Sequence, residues 1–390
     1  MDGLGPERPL DGAHTPGKET MANRRVSVFG PAYLDRVLRV DQPLVDPAHE
    51  LPLDQSVDGS WKFGTGSSLE LVDPAGSTIA IELPTDWPGP RGSIRLTRPI
   101  SPGASAKRLV RALSWQDDLG GMGAGYAAAL GGRLVSALGS ESDPTSRAIS
   151  GRLTDLGIFH EPVRVFDHPA DWTLLVTSGA FGDKLPIGFR GCHTALGPGA
   201  FSVSACRPCD LRVVASIPNR VASEVLAQAG AGLSFFAPAM RNVLDRDCPL
   251  SSFCRSIDVL SCNRHEWEKL DDREEIAWQV SILVVTDGSA GSSVRYTSIA
   301  GESRQLQMAA FPRRHPPLDT NRAGEAYGAT LLSTLVDHGW DAASGVIADE
   351  LIEVAARRGA AAAALELDLT SFGFPDDQHI DRALQTGHVD

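Results

Sequence analysis

The sequence predicts an α/β chain built on a mostly parallel sheet, and three observations carry that expectation. RVSVFG, residues 25–30, is a β-rich run ending in glycine, the pattern of a buried first strand. LRVVAS and GLSFFAP flank a helical stretch, VASEVLAQAG, in the strand–helix–strand order that a parallel sheet requires. Residues 41–115, by contrast, are rich in Pro, Gly, Asp and Ser with little helical periodicity, and read as a β-insert.

Composition narrows the function classes. A chain of 390 residues with 42% hydrophobic residues can bury one large core or two modest ones. The net charge of −13, from 36 Lys+Arg against 49 Asp+Glu, argues against a nucleic-acid or anionic-membrane surface. No apolar run approaches the length of a membrane span. Residues 1–23 lack an apolar signal core and read as a disordered tail, with Met21 as an alternative start of translation. The six cysteines are expected to be reduced, structural thiols of a cytoplasmic protein. Cys206 and Cys209 form a lone C-x-x-C with no second pair to complete a zinc site. A G-x-x-x-x-G-K-[ST] loop is missing, which excludes a P-loop mechanism.

Taken in order, the first strand is followed by Asp35, and ligands of open α/β sheets bind beyond strand C-termini. SLELV-DPAG-STIAIEL alternates on both sides of a turn and predicts a hairpin, and GSIRLTRPI, 92–100, is a further strand candidate. Gly120 and Gly121 open a small-residue helix that includes Gly125, and RLVSALG forms a strand after it. Asp143 and Pro144 then start a helix bearing Ile149, Leu153 and Leu156. DWTLLVTSGAFGDKLPIGFRG, 171–191, reads as a strand pair. DVLSC leads into Asn263 and Glu266, whose i, i+3 spacing is by itself a capping pattern. SILVVTDGSAGSSVRY, 281–296, is a buried strand with a glycine-rich turn holding Thr286, Gly288 and Gly291.

The most informative stretch is PPLDTNRAGEAYGATLLSTL, 316–335. Asp319 and Thr320 precede a turn of small residues, Ala323 and Gly324, after which Ala323, Tyr327, Leu331 and Leu335 share one helix face. Thr320 or Asn321 is the expected cap, leaving N–H groups at the first turn as an anion site. Glu325 lies within that turn as a candidate general base. LIEVAARRGAAAAALEL closes the pattern as an Ala-rich helix.

These motifs, in this order over about residues 25 to 375, resemble those of the ribokinase-like (PfkB) carbohydrate kinases. The resemblance implies a three-layer α/β/α fold with a mostly parallel central sheet and a small β-lid, here enlarged. It divides the chain into a tail 1–23, a kinase domain 24–378 with lid inserts 41–115 and 161–191, and a tail 379–390. The implied activity is transfer of the γ-phosphate of Mg-ATP to a hydroxyl of a small sugar. Asp319, Thr320, Ala323 and Gly324 match the D-T-x-G-A-G-D signature, with Glu325 at the position of the family's catalytic Asp. Arg322 stands where the family has Gly or Ala, and either supplies charge to the phosphates or fills the space the nucleotide needs.

On the same resemblance Asp35, Gly120 and Gly121 hold the sugar, and Gly125 replaces an Asn that normally bonds a hydroxyl. Asn263 and Glu266 match the N-x-x-E motif that positions Mg²⁺ and phosphate, and Thr286, Gly288 and Gly291 border the nucleotide. Asp319 is also the implied ligand of a monovalent cation, K⁺, in some relatives. A homodimer through the lid is the implied assembly. Two alternatives remain open: a non-catalytic sugar- or nucleotide-binding pseudokinase, and a nucleoside kinase with Trp61, Trp87 or Trp115 stacking the base.

Overall fold

The computed structural model describes residues 24–40, 60–63, 68–72, 78–83, 95–96, 108–178, 183–201 and 205–389. The expected tail 1–23, Met21, Trp87 and the linkers of the 41–115 insert lie outside them. The chain opens with β1 (Val26–Phe29) and β2 (Tyr33–Val40). Short strands β3 (Ser60–Phe63), β4 (Ser68–Val72), β5 (Thr78–Glu82) and β6 (Arg95–Leu96) precede the long β7 (Arg108–Gly120). Next come α1 (Met122–Leu130), β8 (Arg133–Leu138), α2 (Pro144–Asp155), β9 (His160–Arg164), β10 (Trp172–Ser178) and β11 (Asp183–Phe189).

The second half repeats strand and helix: β12 (Cys209–Ala215), α3 (Asn219–Leu226), β13 (Ala231–Ala237), α4 (Met240–Val243) and β14 (Val259–Asn263). It continues through α5 (Arg264–Lys269), α6 (Arg273–Gln279), β15 (Ile282–Thr286), β16 (Ser292–Thr297) and β17 (Ser303–Met308). Three helices close it: α7 (Ala323–Asp337), α8 (Asp349–Glu366) and α9 (Asp377–Thr386).

Among the described residues the central sheet has the order β17-β16-β15-β14-β13-β12-β1-β8-β9. It is parallel from β9 through β15 and antiparallel at β16 and β17. Its strands are apolar on both faces, as a sheet covered on two sides requires. Alternate residues divide between two cores: Val28, Leu134, Val213, Phe235 and Val284 pack beneath α1, α7 and α8. Their chain neighbours Phe29, Val135, Val214, Phe236 and Val285 pack on the opposite side with α3 and α6. The result is the expected three-layer α/β/α sandwich.

A second sheet, β3-β4-β5-β7-β2-β10-β11-β6, rests on the same core through Leu34, Leu38, Leu119 and Leu174. The predicted hairpin is β4–β5, with Ser68 opposite Glu82 and Val72 opposite Thr78. It joins the long strand through β5–β7, so the insert extends the lid sideways by β3, β4 and β5.

Two boundaries shift. The proposed insert 161–191 mixes two sheets: β9 pairs with β8 at the edge of the central sheet, and only β10 and β11 join the lid. The stretch 379–390 carries most of α9 rather than an unstructured tail; Asp376 caps that helix, and Ile380 and Ala383 pack on α8. Asp143 caps α2 as expected, accepting from Thr145 N and Ser146 N. Leu156 departs from expectation: it ends that helix exposed, while Ile149 and Leu153 are buried.

On β9, His160 Nε2 meets Ser136 Oγ at 2.8 Å. Burial, and then the Arg164 charge, lower its pKa from 6.5 to about 4. The unfolded chain therefore takes up this proton first as pH falls. Stability from the neutral, bonded ring is complete above about pH 6.5 and declines toward pH 4. His160→Gln is expected to flatten the stability profile over that window in urea titrations. An unchanged profile would show that His160 titrates as a free imidazole.

Candidate active site

The C-terminal ends of β13, β14 and β15 face the first turn of α7 across a cavity of about 680 Å³. Asn263, Glu266, Thr286, Gly288, Gly291, Arg322, Ala323, Gly324 and Glu325 all line it. Residues predicted from three separate motifs thus share one wall system, at the strand edge where open α/β sheets place ligands.

Each contributor is held by local backbone chemistry. Asn263 ends β14 and caps α5: its side chain accepts from Glu266 N at 2.8 Å, and Glu266 Oε2 accepts from Asn263 N at 3.0 Å. This reciprocal capping box leaves the second Glu266 oxygen for the cavity. Gly291 has φ of 95° and lies so close to the Met308 carbonyl that no side chain fits there. At the opposite end the cavity is apolar, with Phe311, Tyr327, Ala360, Ala363 and Leu367. The Ala-rich run therefore serves two purposes. Its buried face packs closely on α7, where Gly359 sits against the Tyr327 backbone, and its outer alanines line the cavity.

The start of α7 departs from expectation. Neither Thr320 nor Asn321 caps the helix; Arg322 occupies the N-cap in the left-handed region, φ 62°, without a side-chain cap bond. Asp319 instead takes Asn321, accepting from its backbone N at 2.9 Å and from Nδ2 at 3.1 Å. That turn leaves the first N–H groups of α7 directed at the cavity without an internal acceptor. A glycine at position 322 would adopt this φ without strain.

Arg322 is drawn backwards from the start of α7. Its Nε donates to the buried Glu366 at 2.9 Å, its Nη2 to the Ser371 carbonyl at 2.9 Å, and its guanidinium lies 5.7 Å from the Phe372 ring. The segment it grips is tied elsewhere as well, with Phe372 N donating to Asp118 Oδ2 at 2.9 Å. The Arg322 bonds engage Nε and Nη2, and the residue still borders the cavity.

Glu325 and Glu266 face the same space. Burial, and then the charge of Glu325, push the Glu266 carboxyl up to about 7, against the bonds from Asn263. Tyr126, which sequence reasoning missed, is buried in the cavity wall, and burial, then the charges of Glu325 and Glu266, raise its hydroxyl well above the usual range. Its signal was a single large side chain in the small-residue run GAGYAAA. Gly125, one residue earlier, abuts Glu325: a Cβ there would lie 3.2 Å from Glu325 Cγ and 3.4 Å from the Phe374 ring. The extra methylene of Glu325 and the missing side chain at 125 thus occupy one another's space.

The remaining predicted residues lie off this wall. Asp35 and Gly120 meet across β2–β7, where any side chain at 120 would overlap the Asp35 carboxylate. Gly121 follows with φ 97°, pressed against Pro31. Asp319 does not line the cavity. Trp115 packs on the core, which accounts for it without a ligand. All six cysteines are free and five are buried, with Cys248 half-exposed.

A family model, described as pfkB family carbohydrate kinase, matches residues 98–376. The chain belongs to this family. Solved structures agree on the fold. A ribokinase from Giardia lamblia superposes with a TM-score of 0.62 at 17% identity, over 93% of this chain and 99% of its own. A ribokinase from Thermotoga maritima gives 0.61 at 16%, over 93% and 99%. A Burkholderia thailandensis nucleoside kinase in complex with inosine gives 0.58 at 16%, over 93% and 98%. Among curated proteins none matches. No helix among the described residues is long and apolar enough to cross a membrane.

Proposed function

We propose that this PfkB-family chain is a cytoplasmic, ATP-dependent kinase that phosphorylates a hydroxyl of a small sugar or sugar-like acceptor. The observation that carries the reading is the convergence of Glu325, the uncapped start of α7 and the Asn263–Glu266 pair on one cavity with an apolar far end.

The acceptor oxygen attacks the γ-phosphorus as the bond to the ADP oxygen breaks, and Glu325 receives the hydroxyl proton. The N–H groups of Ala323 and Gly324 face charge on the transferred phosphoryl, where orphan donors and the helix dipole act together. Thr286, Gly288 and Gly291 border the nucleotide, whose base meets the apolar wall of Phe311, Tyr327 and Ala360. Asp35, with Gly120 and Gly121 beside it, anchors the acceptor. The rate enhancement then rests on positioning and electrostatics, as phosphoryl transfer demands.

Magnesium fits the donor set. Glu266 is a carboxyl raised by burial and by a second carboxylate, and one such group suffices for an ion that keeps most of its waters. When bound, the ion neutralises phosphate charge. Potassium fits less well: both Asp319 oxygens are engaged by Asn321, and the positive charge of this turn is already supplied by Arg322.

The test is ADP release from Mg-ATP with pooled sugars, sugar phosphates, sugar acids and nucleosides. Acceptor-dependent release supports a kinase. A protein that binds Mg-ATP and an acceptor but never releases ADP is a pseudokinase.

Gly125 gives a second check. Gly125→Asn, which restores the side chain found in the family, is expected to lower kcat about tenfold to a hundredfold by displacing the base. Glu325→Asp in the same chain is expected to recover part of that loss. Strictly additive effects in the four-protein cycle would mean that the two positions do not share space.

A further inference from the structure

Beside the acceptor end lies an arginine that makes no hydrogen bond through Nε or Nη2 among the described residues. Arg241 is the second residue of α4, just beyond Ala237 and Pro238, which line the cavity. Its Nε and Nη2 are both buried, and neither has a hydrogen-bond partner.

Arg24 also has a buried, unbonded Nε, but Arg241 alone among the described arginines has Nε and Nη2 both orphaned, and three others are secured elsewhere on the guanidinium. Arg212 donates to the carbonyls of Val225 and Ala229 at 3.2 and 3.4 Å, and Arg313 to Asp368 and Pro316 at 2.5 and 3.4 Å. Arg36 lies 3.7 Å from Asp117 and over the Trp172 ring. In Arg241 the entire Nε–Nη2 edge is orphaned, the edge that grips a carboxylate or phosphate with two parallel bonds. A buried guanidinium without an anion is costly, so a retained orphan edge marks a place for one.

The surroundings locate that place. The field of Arg241 reaches Tyr33 and His193. Tyr33 is the first residue of β2, pairs with Gly120, and carries the Arg190 guanidinium 4.2 Å from its ring. His193 meets the Tyr33 ring edge-on at 5.7 Å. The nearby acid Asp171 accepts at Oδ1 from Gly191 N at 2.9 Å and His193 N at 3.2 Å, and its Oδ2 lies 3.6 Å from His193 Nδ1. Arg241 thus follows the cavity-lining Ala237 and Pro238, and its charge bears on Tyr33 and His193 at the base of the lid.

We propose that the acceptor carries an anionic group, a carboxylate or a phosphate ester, and that the Nε–Nη2 edge of Arg241 binds it. The inference rests on the kinase reading above, and deepens it by naming the acceptor class. Asp35 and Arg241 then fix the two ends of the acceptor, and Glu325 receives the proton of the hydroxyl presented between them.

The test compares ribose and glucose with ribose 5-phosphate and gluconate, using full-length protein, Arg241→Ala and Arg241→Lys. An anionic acceptor is expected to be turned over with kcat/KM at least about thirtyfold above its neutral counterpart, and Arg241→Ala is expected to remove that margin mainly through KM. Arg241→Lys should recover part of it. Preference for the phosphate over the carboxylate, or the reverse, separates the two sources of charge.

Because the ligand-free protein holds this guanidinium unpaired, Arg241→Ala is also expected to raise Tm, whereas a purely structural arginine would lower it. Turnover of the anionic acceptors that ignores Arg241→Ala, or no preference for them over the neutral sugars, overturns the inference and leaves the kinase intact. If no acceptor is turned over, calorimetry decides: anion binding that Arg241→Ala abolishes upholds the site without the chemistry, and no anion binding overturns both.

Discussion

Arg322→Ala is expected to destabilise the protein by about 3–5 kcal/mol, the range for removing one partner of a buried ion pair. Glu366 is fully buried and Arg322 nearly so; Arg322 Nε holds Glu366 Oε1, and Oε2 has no hydrogen-bond partner among the described residues. Burial already pushes the Glu366 carboxyl up to about 7 despite the adjacent guanidinium. Without Arg322 that carboxyl moves higher still.

The pH dependence follows from the sign of the shift. A folded-state pKa above the unfolded value means that the folded chain holds the proton longer, so the penalty grows as pH rises from about 4.5 through 7. The loss in Arg322→Ala is therefore expected to be smallest below about pH 7, where both proteins hold the Glu366 proton, and to grow above it. Arg322→Gly should lose about 1 kcal/mol less, because the left-handed N-cap is then unstrained. Arg322→Ala with Glu366→Ala should recover most of the loss. Urea midpoints across this pH range measure all of it, and a loss under about 1 kcal/mol at pH 8 would show that the pair does not hold the turn to the Ser371–Phe374 segment.

Glu325→Gln is expected to lower kcat by about 10²–10⁴, the usual contribution of a positioned general base, with Mg-ATP affinity nearly unchanged. The amide keeps the shape that fills the space beside Gly125 and removes only the proton acceptor. It also removes the charge that helps raise Glu266, so the Glu266 carboxyl should titrate lower in the variant. That second readout separates loss of a base from distortion of the cavity. A variant with full turnover would transfer the role of base to another group.

The architecture was legible because the signals are local. Adjacent pairs such as Val28 and Phe29, or Phe235 and Phe236, are both apolar because the strand is covered on both faces. The cavity wall was legible for the same reason, since a strand end followed by glycine, or by an Asn–Glu capping pair, is written in a few consecutive residues. What escaped were side-chain directions set at long range. The path of Arg322 depends on Glu366 and Ser371, more than forty positions downstream, and on Asp319 taking Asn321 out of the capping role. Glu366 itself, in the Ala-rich run, carries no local signal of its burial. The edge strand β9 lacks alternation, with all but Pro162 of its residues half-buried, which hid it inside the assumed lid. In α9 the signal was present, an Asp cap followed by Ile380 and Ala383 on one face, and was passed over.

The central claim is that Glu325 works as a base on a hydroxyl acceptor within this cavity, and one measurement tests it most directly. Wild-type protein and Glu325→Gln are compared for acceptor-dependent ADP release at saturating Mg-ATP. The account predicts release by the wild type that falls at least about a hundredfold in the variant, while both bind Mg-ATP alike. Equal release by the two proteins would contradict it.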